Sequence, residues 1–343
     1  MRLAVIGAGG WGTALSIMAA RAGHEVRLWA RGAALVEEIN GRRVNGAYLA
    51  GREIPEGVRA TSDAREALRG AEAVILAAPS HATREVLTCL RAAVEPGVVF
   101  VSAAKGVEAE TGKRMSEVVG EVLGENAARF VCLSGPSFAQ EVAEGQPTAV
   151  VAASADESLA RLVQSALSTQ SFRVYTNPDV VGTELGGASK NVMALAAGMV
   201  AGLGLGTNSV AALVTRGLAE MTRLALAEGA RLETLMGLAG LGDLVLTCTG
   251  RLSRNRRVGE ELGRGRALTD VLAGMNEVAE GVRTTRALKL LAGRRGVELP
   301  ITDEVHAVLY EGKPARAAVE CLMSRPPREE FERSAECGVQ SDE

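Results

Sequence analysis

The sequence is poor in aromatic residues and in histidine, and these shortages exclude several classes of function. Phenylalanine, tryptophan and tyrosine make up 3% of the chain, so a stacking platform for nucleic-acid bases is not expected. His24, His81 and His306 are not at metal-ligand spacing, and we predict no metal site. The basic residues form no long run and the formal net charge is -3, which argues against nucleic acid as a partner. A small molecule is the expected ligand.

The sequence also lacks paired cysteines and a hydrophobic run long enough for a membrane anchor. Its five cysteines are odd in number and contain no Cys-x-x-Cys motif, as expected of reduced thiols in the cytoplasm. The apolar run at residues 3–6 is too short for a signal peptide. Residues 191–215 carry no charge, but their glycines predict two shorter core helices instead of a membrane span. We therefore predict a cytoplasmic protein.

Glycine is abundant, and near the start of the chain it is placed as in a phosphate-binding loop. A buried strand is predicted at residues 2–6, and a helix at residues 13–21 follows the glycine-rich segment between them. In a G-x-G-x-x-G loop the glycines permit a tight turn and a close approach to a pyrophosphate, which the helix N-terminus attracts. Gly7, Gly9 and Gly12 therefore predict a dinucleotide site. A glycine-rich turn without a ligand is the alternative.

The end of the next predicted strand, residues 25–29, indicates which cofactor is preferred. NAD-preferring sites usually have an acidic residue there that binds the adenosine ribose, whereas an arginine accommodates the 2′-phosphate of NADP. This chain has Ala30 and Arg31 at that point. We predict that NADP(H) is preferred and that NAD(H) is also used. An ordinary surface role for Arg31 stays open.

The order of apolar runs divides the chain into two parts. Strand-like runs alternate with helical stretches over residues 1–185, which predicts an α/β Rossmann-type doubly wound parallel sheet. An all-α domain is predicted over residues 186–325, and we expect the charged tail at residues 326–343 to be frayed. The strand-like runs after the first two are residues 73–77, 98–102, 130–133 and 148–152.

Polar residues in both parts are candidates for the chemistry. Ligands of doubly wound sheets bind at the carboxyl ends of the strands, so Lys105 is expected in the crevice of the glycine loop, although a surface ion pair is equally compatible. Asp243 lies in an apolar stretch and needs a partner if it is buried. Lys190 is a candidate partner, unless it opens a solvated helix. The hydroxyl, amide and guanidinium groups of residues 253–257 suit a phosphate, or form a solvated loop.

Taken together and in order, nine segments of the chain resemble the bacterial NAD(P)-dependent glycerol-3-phosphate dehydrogenases. The likeness runs nearly end to end. Two positions depart from the family pattern, Ser189 in place of a branched aliphatic residue and Thr207 in place of an acidic one. The segments are GAGGWGTAL (7–15), AAKGVE (103–108), LSGPSFAQEVAEGQPTAVV (133–151), GGASKNVMALAAGMVAGLGLGTN (186–208), RGLAEMTRL (216–224), GLAGLGDLVLTCTG (237–250), LSRNRRVG (252–259), EVAEGVRTTRAL (277–288) and LPITDEVHAVLYEG (299–312).

The resemblance implies reversible reduction of dihydroxyacetone phosphate by NAD(P)H to sn-glycerol 3-phosphate, which supplies phospholipid synthesis. Whether the chain forms a homodimer stays open. The family's cofactor contacts fall on Gly10, Trp11, Arg31, Lys105, Ala139, Arg254, Val278 and Glu280. Its substrate contacts fall on Lys105, Gly135, Ser137, Lys190, Asn191, Asp243, Thr247, Ser253, Arg254 and Asn255.

The predicted catalytic residues are Lys190, Lys105 and Asp243. An ammonium beside the ketone oxygen stabilises the charge that develops during hydride transfer and can deliver a proton, and Lys190 is our candidate for this role. Burial and Lys105 would lower the pKa of Lys190, while Asp243 would raise it. These residues together disfavour an idle NADP-binding sensor. The phosphate-binding group at residues 253–255 disfavours a dehydrogenase of unphosphorylated hydroxy acids.

Overall fold

The structure is a computed structural model, and it describes residues 1–127, 129–275, 279–327 and 329–330. Val278, a predicted cofactor contact, lies outside the described residues. So do residue 328 and residues 331–343 of the predicted tail. The fraying expected of that tail therefore stays a prediction.

An eight-stranded sheet forms the first part of the molecule. Its strands are β1 (Arg2–Ile6), β2 (Glu25–Trp29), β3 (Val58–Thr61), β4 (Ala73–Leu76), β5 (Val99–Ser102), β6 (Phe130–Ser134), β7 (Thr148–Ala153) and β8 (Phe172–Asn177). They are arranged in the order β3-β2-β1-β4-β5-β6-β7-β8. The outermost strands, β3 and β8, were not predicted. In β8, buried and exposed residues alternate over its first four positions, so it lacks the continuous apolar run of a strand buried on both faces.

The helices of this part lie on both faces of the sheet. Leu3 and Val5 of β1 belong to one apolar cluster, and Ala4 and Ile6 belong to another on the opposite face. This alternation confirms the predicted doubly wound arrangement. The helices are α1 (Gly10–Arg21), α2 (Ala33–Glu37), α3 (Ala64–Leu68), α4 (Thr83–Leu90), α5 (Met115–Leu123), α6 (Ala139–Glu144) and α7 (Glu157–Leu167).

The sheet is parallel, as predicted, except at one step, where β7 pairs with β6 in the antiparallel sense. The connection between these strands contains only the six-residue helix α6. After this helix the chain runs back beside β6 as β7, and β8 then pairs with β7 in the parallel sense.

The second part of the molecule is helical, as predicted. Its long central helix, α8 (Val180–Gly202), is buried almost throughout. The uncharged segment at residues 191–215 divides into two helices, as expected, because α8 ends at Gly202 and the next helix begins at Thr207. Within the described residues, no helix is both long and apolar enough to cross a membrane. The other helices are α9 (Thr207–Ala227), α10 (Leu232–Met236), α11 (Asp243–Thr249), α12 (Arg254–Gly263), α13 (Leu268–Ala273), α14 (Glu280–Arg295), α15 (Pro300–Tyr310) and α16 (Ala315–Met323).

Helix α8 begins earlier than the sequence indicated. The Asp179 carboxylate accepts a hydrogen bond of 2.8 Å from the Gly182 N–H and caps the helix. Lys190 therefore lies in the middle of a buried helix, which rules out the alternative that it opens a solvated one. The proposed domain boundary after residue 185 also falls inside this helix, and the division of the chain into domains stays a prediction.

Helix α12 packs against α8 with almost no side chain between them. A Cβ atom on Gly198 of α8 would stand 2.0 Å from the Arg256 carbonyl oxygen, and one on Gly259 of α12 would stand 2.0 Å from the Leu195 carbonyl oxygen. Contacts this short are possible only because these positions are glycine. The close packing places the N-terminus of α12 beside the middle of α8.

Candidate active site

A cleft of about 1030 Å³ lies where the carboxyl ends of the central strands meet the helical part. This is the place expected for the ligand of a doubly wound sheet. Among the predicted site residues that the structure describes, Gly12, Gly135 and Asp243 do not line it. Those that do are Gly7, Gly9, Gly10, Trp11, Arg31, Lys105, Ser137, Ala139, Lys190, Asn191, Thr247, Ser253, Arg254, Asn255 and Glu280.

Each of the three motif glycines in the loop is explained by a different feature of the structure. Gly7 has a φ of 112°, which favours glycine. A Cβ on Gly12 would stand 1.9 Å from the Gly7 carbonyl oxygen, so Gly12 lets α1 pack against the turn. At Gly9 the same atom would meet nothing within 4 Å, and the residue borders the cleft. No side chain caps the N-terminus of α1 at Gly9, which leaves backbone N–H groups for an anion.

Two ammonium groups and one carboxylate form the centre of the site. The Lys190 Nζ donates to Asp243 Oδ1 at 2.6 Å, and the Lys105 Nζ donates to Asp243 Oδ2 at 2.8 Å. Asp243 is fully buried, and Lys190 is only 6% exposed. The predicted pairing of Asp243 with Lys190 is thus present. The choice left open for Lys105 is also decided, since it lies in the cleft and not in a surface ion pair.

The two lysines differ in how many of their N–H donors are engaged. Lys105 also donates to the Gly135 carbonyl oxygen at 2.7 Å and to Ser137 Oγ at 3.1 Å, so its three donors are used. Lys190 has one further bond, to Thr247 Oγ1 at 2.9 Å. Because an ammonium carries three donors, one N–H of Lys190 has no partner within the described residues. Lys190 borders the cleft, so this donor is available to a ligand.

The charges in this group shift the pKa values of its members. Burial lowers the pKa of Lys190 to about 8, with the Asp243 charge opposing this shift and the Lys105 charge adding to it. Burial alone would raise the pKa of Asp243, but the two lysines outweigh it and hold that pKa below its usual value. Asp243 therefore stays ionised, while Lys190 can gain or lose a proton near neutral pH.

A chain of amide hydrogen bonds joins the sheet to three helices. The Asn191 Nδ2 donates to the Lys105 carbonyl oxygen at 2.8 Å, and the Asn255 Nδ2 donates to Asn191 Oδ1 at 2.9 Å. The Asn255 Oδ1 in turn accepts the Gly281 N–H at 2.9 Å. These bonds fix the positions of Lys105, α8, α12 and α14 relative to one another across the cleft.

The anion-binding group predicted at residues 253–255 is the N-terminus of α12. Ser253 is the N-cap, and its Oγ accepts the Arg256 N–H at 3.2 Å. Arg254 follows it, and its exposed side chain borders the cleft. A helix N-terminus with an adjacent guanidinium attracts a phosphate. The alternative of a solvated loop does not hold.

The remaining predicted cofactor contacts lie around the loop. The Glu280 carboxylate accepts the Ser80 N–H at 2.9 Å, which ties α14 to the turn after β4. The Lys105 ammonium stands 5.9 Å from the centre of a Trp11 ring, and Arg31 borders the cleft at the end of β2. Ala139 opens α6 at the edge of the cleft.

One wall of the cleft carries no recognised sequence motif and was not predicted. Residues 38, 42 and 47–49 also border it, although they follow α2 and belong to no recognised motif. Their position depends on how the chain folds back between β2 and β3, and no periodicity in the sequence indicates that. Ala78 and Pro79 also border the cleft, as expected for residues that follow the carboxyl end of β4.

The chain is similar in sequence to known glycerol-3-phosphate dehydrogenases. The family model described as NAD-dependent glycerol-3-phosphate dehydrogenase N-terminus matches residues 2–160, and the model of the C-terminus matches residues 179–320. An NAD(P)+ glycerol-3-phosphate dehydrogenase of Koribacter versatilis is 57% identical over 95% of this chain and 97% of its own length. One from Geobacter sulfurreducens is 55% identical over 94% and 97%.

A solved structure agrees with these sequence matches. The crystal structure of glycerol-3-phosphate dehydrogenase from Coxiella burnetii is 40% identical, with a TM-score of 0.90 over 94% of this chain and 99% of that one. Both halves of the chain are therefore matched in sequence and in fold. The chain belongs to the family of NAD(P)-dependent glycerol-3-phosphate dehydrogenases.

Proposed function

We propose that this chain catalyses the reversible reduction of dihydroxyacetone phosphate to sn-glycerol 3-phosphate with NADPH or NADH, and so supplies phospholipid synthesis. The single observation that carries this proposal is the Lys190 ammonium, which has one N–H without a partner among the described residues and borders the same cleft as the N-terminus of α12. Family membership supports the same reaction.

The glycine loop fits a dinucleotide cofactor. A Cβ on Gly9 would project into open space, α1 has no side-chain cap, and the Trp11 Nε1 is buried with no partner within the described residues. The same cleft is bordered by further residues that would hold the cofactor, namely Gly7, Gly10, Arg31, Ala139 and Glu280. When bound, NAD(P)H supplies the hydride that reduces the substrate carbonyl carbon.

Lys190 acts as the acid in reduction and as the base in oxidation. As the carbonyl carbon gains a hydride, negative charge grows on its oxygen, and the Lys190 ammonium stabilises that charge. The proton then passes from Nζ to the oxygen, which leaves a neutral amine and the product hydroxyl. In the reverse reaction the amine removes the hydroxyl proton. A pKa of about 8 suits both directions near neutral pH.

Lys105 and Asp243 prepare Lys190 for this transfer. Asp243 accepts hydrogen bonds from both ammonium groups, so it offsets the repulsion between two buried cations. Lys105 lies beside Lys190 on the cleft wall and adds positive potential where the oxyanion forms. Thr247 Oγ1 donates to the Asp243 carbonyl oxygen at 2.6 Å. This bond orients the lone pairs of Thr247 Oγ1 toward Lys190.

The substrate phosphate is bound at the N-terminus of α12. Ser253, Arg254 and Asn255 offer a hydroxyl, a guanidinium and an amide next to backbone N–H groups. Binding the phosphate there holds the carbonyl of a three-carbon substrate near Lys190, so that binding energy is used for orientation. An unphosphorylated substrate would lose this anchor.

The reaction is tested by following NADPH absorbance after dihydroxyacetone phosphate is added to the purified chain, and by repeating the assay with NADH. Unphosphorylated dihydroxyacetone serves as the matched control. We expect rapid oxidation only with the phosphorylated ketone. No oxidation, or equal rates with both ketones, would contradict the proposal.

The phosphate anchor is tested separately by Arg254→Ala. We expect a raised KM for dihydroxyacetone phosphate, because a charge-assisted hydrogen bond is lost, with a smaller change in kcat. An unchanged KM for the substrate would place the phosphate elsewhere.

We also propose that the protein works in the cytoplasm and forms a homodimer. Cys89, Cys132, Cys248 and Cys321 are free thiols, which supports a reducing compartment. Cys337 lies outside the described residues. Light scattering of the purified chain tests the oligomeric state, and a monomer mass would contradict the dimer.

A further inference from the structure

The end of the cleft next to β2 carries an excess of positive charge. Arg31 follows β2 directly, and Arg42 ends the π-helical turn at Glu38–Arg42 that follows α2. Both arginines are exposed and border the cleft, with Glu38 as the one acidic residue near them on that wall. Within the described part of the chain, neither guanidinium makes a hydrogen bond or an ion pair. Two guanidinium groups of the segment between β2 and β3 therefore border the cleft and are available to a ligand.

The segment that carries Arg42 is held firmly on both sides. The Asn40 amide exchanges two hydrogen bonds with the backbone of Ala60 in β3, of 2.9 Å and 2.8 Å. The Arg43 guanidinium donates to the carbonyl oxygens of Ile54 at 2.9 Å and Val58 at 3.0 Å. The backbone from which Arg42 extends is thus fixed to the sheet.

Arg43 also has an unusual backbone conformation. Its φ is 55°, and it is the only residue other than glycine with a positive φ among those the structure describes. This conformation is uncommon for a residue with a side chain and persists where surrounding contacts hold it. Those contacts are the bonds of its own guanidinium. The Arg43 guanidinium is thus hydrogen-bonded within the fold, whereas its neighbour Arg42 borders the cleft.

We propose that Arg42, together with Arg31, binds the 2′-phosphate on the adenosine ribose of NADP(H) and is a further determinant of cofactor preference. This inference rests on the proposed use of NADP(H). A guanidinium matches a phosphate with two parallel N–H donors, and two such groups can contact a dianion from different sides. Because Asn40 and Arg43 fix the backbone, little order has to be gained on binding.

Binding of two cofactor fragments tests Arg42 without any catalytic turnover. Adenosine 2′,5′-bisphosphate carries the 2′-phosphate and 5′-AMP lacks it, and isothermal calorimetry measures both. We expect Arg42→Ala to weaken the bisphosphate about tenfold, which corresponds to about 1.4 kcal/mol. Binding of 5′-AMP should stay within a factor of about two. Arg42→Lys should give an intermediate loss, because it keeps the charge but not the planar fork.

Arg59→Ala is the matched control, since Arg59 is exposed on β3 and does not border the cleft. Equal bisphosphate affinities in Arg59→Ala and Arg42→Ala would overturn the proposal. Equal losses for both fragments in Arg42→Ala, or a wild type that does not distinguish the fragments, would overturn it as well. The fragments lack the nicotinamide ring. A failure of the proposed reaction would thus appear in the turnover assay alone and leave the binding result standing.

Discussion

Two ammonium groups share one carboxylate at the centre of the cleft, and their hydrogen bonds give them different tasks. Lys105 has three partners, so it is held in place and acts through its charge. In the part of the chain that the structure describes, Lys190 has two partners and one remaining donor, and it borders the cleft. Only Lys190 can therefore give a proton to a ligand without first breaking a bond.

Replacement of Lys190 is the most direct test of its role as the proton donor. We expect Lys190→Ala to lower kcat by about 10²- to 10⁴-fold, the usual contribution of a general acid, while NADPH binding stays nearly unchanged. Steady-state kinetics and a fluorescence titration measure the two effects. Lys289→Ala, an exposed lysine with its side chain 43% accessible, is the control. A kcat equal to that of the control would refute the role of Lys190.

The pH dependence of the two directions follows from the lowered pKa of Lys190. Reduction needs the ammonium and should decline as pH rises through about 8, whereas oxidation of glycerol 3-phosphate needs the amine and should increase over the same range. The Asp243 charge raises the pKa of Lys190, so Asp243→Asn should move both inflections to lower pH. Profiles of kcat in both directions measure the shift. A shift to higher pH would contradict this electrostatic assignment.

At the scale of elements, the contact between α8 and α12 decides where the phosphate site lies relative to Lys190. The two helices approach so closely that the backbone of each meets glycine on the other. Asn191 and Asn255 are hydrogen-bonded across the same contact. Any side chain inserted between the helices would move the N-terminus of α12 away from Lys190.

Gly259→Ala tests this contact. Its Cβ would stand 2.0 Å from the Leu195 carbonyl oxygen, so the helices must separate, and we expect a loss of about 1–3 kcal/mol of unfolding free energy. The KM for dihydroxyacetone phosphate should rise in the same variant. Urea unfolding and steady-state kinetics measure the two quantities.

Gly293→Ala is the control for that variant. Gly293 lies in α14, where an added Cβ would meet nothing within 4 Å. Here alanine should stabilise the protein by about 0.5–1 kcal/mol, because glycine is the poorer helix former. Equal stability of the two variants would show that the close packing of α8 and α12 is unimportant.

At the scale of the whole molecule, one buried carboxylate joins the two parts of the chain. Glu184 of α8 accepts hydrogen bonds from the Ser116 N–H at 2.7 Å and from the Ser116 hydroxyl at 2.6 Å. It also pairs with Arg114 at 3.1 Å, and both partners lie at the start of α5. Burial raises the pKa of Glu184, although these bonds oppose the shift. The helix that carries Lys190 is thereby tied to the sheet domain.

Removal of this tie should destabilise the whole protein. We expect Glu184→Ala to cost about 3 kcal/mol, since it leaves buried donors of Arg114 and Ser116 without their acceptor. The midpoint of urea unfolding measures this loss. Glu157→Ala removes an exposed carboxylate that pairs with Arg161 and should change the midpoint little. A similar midpoint in both variants would contradict the structural importance of Glu184.

Much of the fold and of the site could be predicted where the signal is local. The loop from Gly7 to Gly12 follows a strand and opens a helix in the structure, as its spacing indicated. All six predicted strands and the helical second part were also confirmed. The reversal of β7 and the edge strands β3 and β8 were missed, because pairing partners and strand direction depend on contacts between distant residues.

The glycine loop, the ionisable residues and the division into a sheet part and a helical part could be read from the sequence, because they depend on short motifs and on the order of apolar runs along the chain. The tertiary structure alone decided that Lys105 contacts Asp243 across 138 positions of the chain. It also decided that Lys190 is buried with one donor that has no partner among the described residues, and that Arg42 borders the same cleft as Arg31. Burial and charge proximity set the pKa of Lys190, and both arise only when the strands and helices pack together.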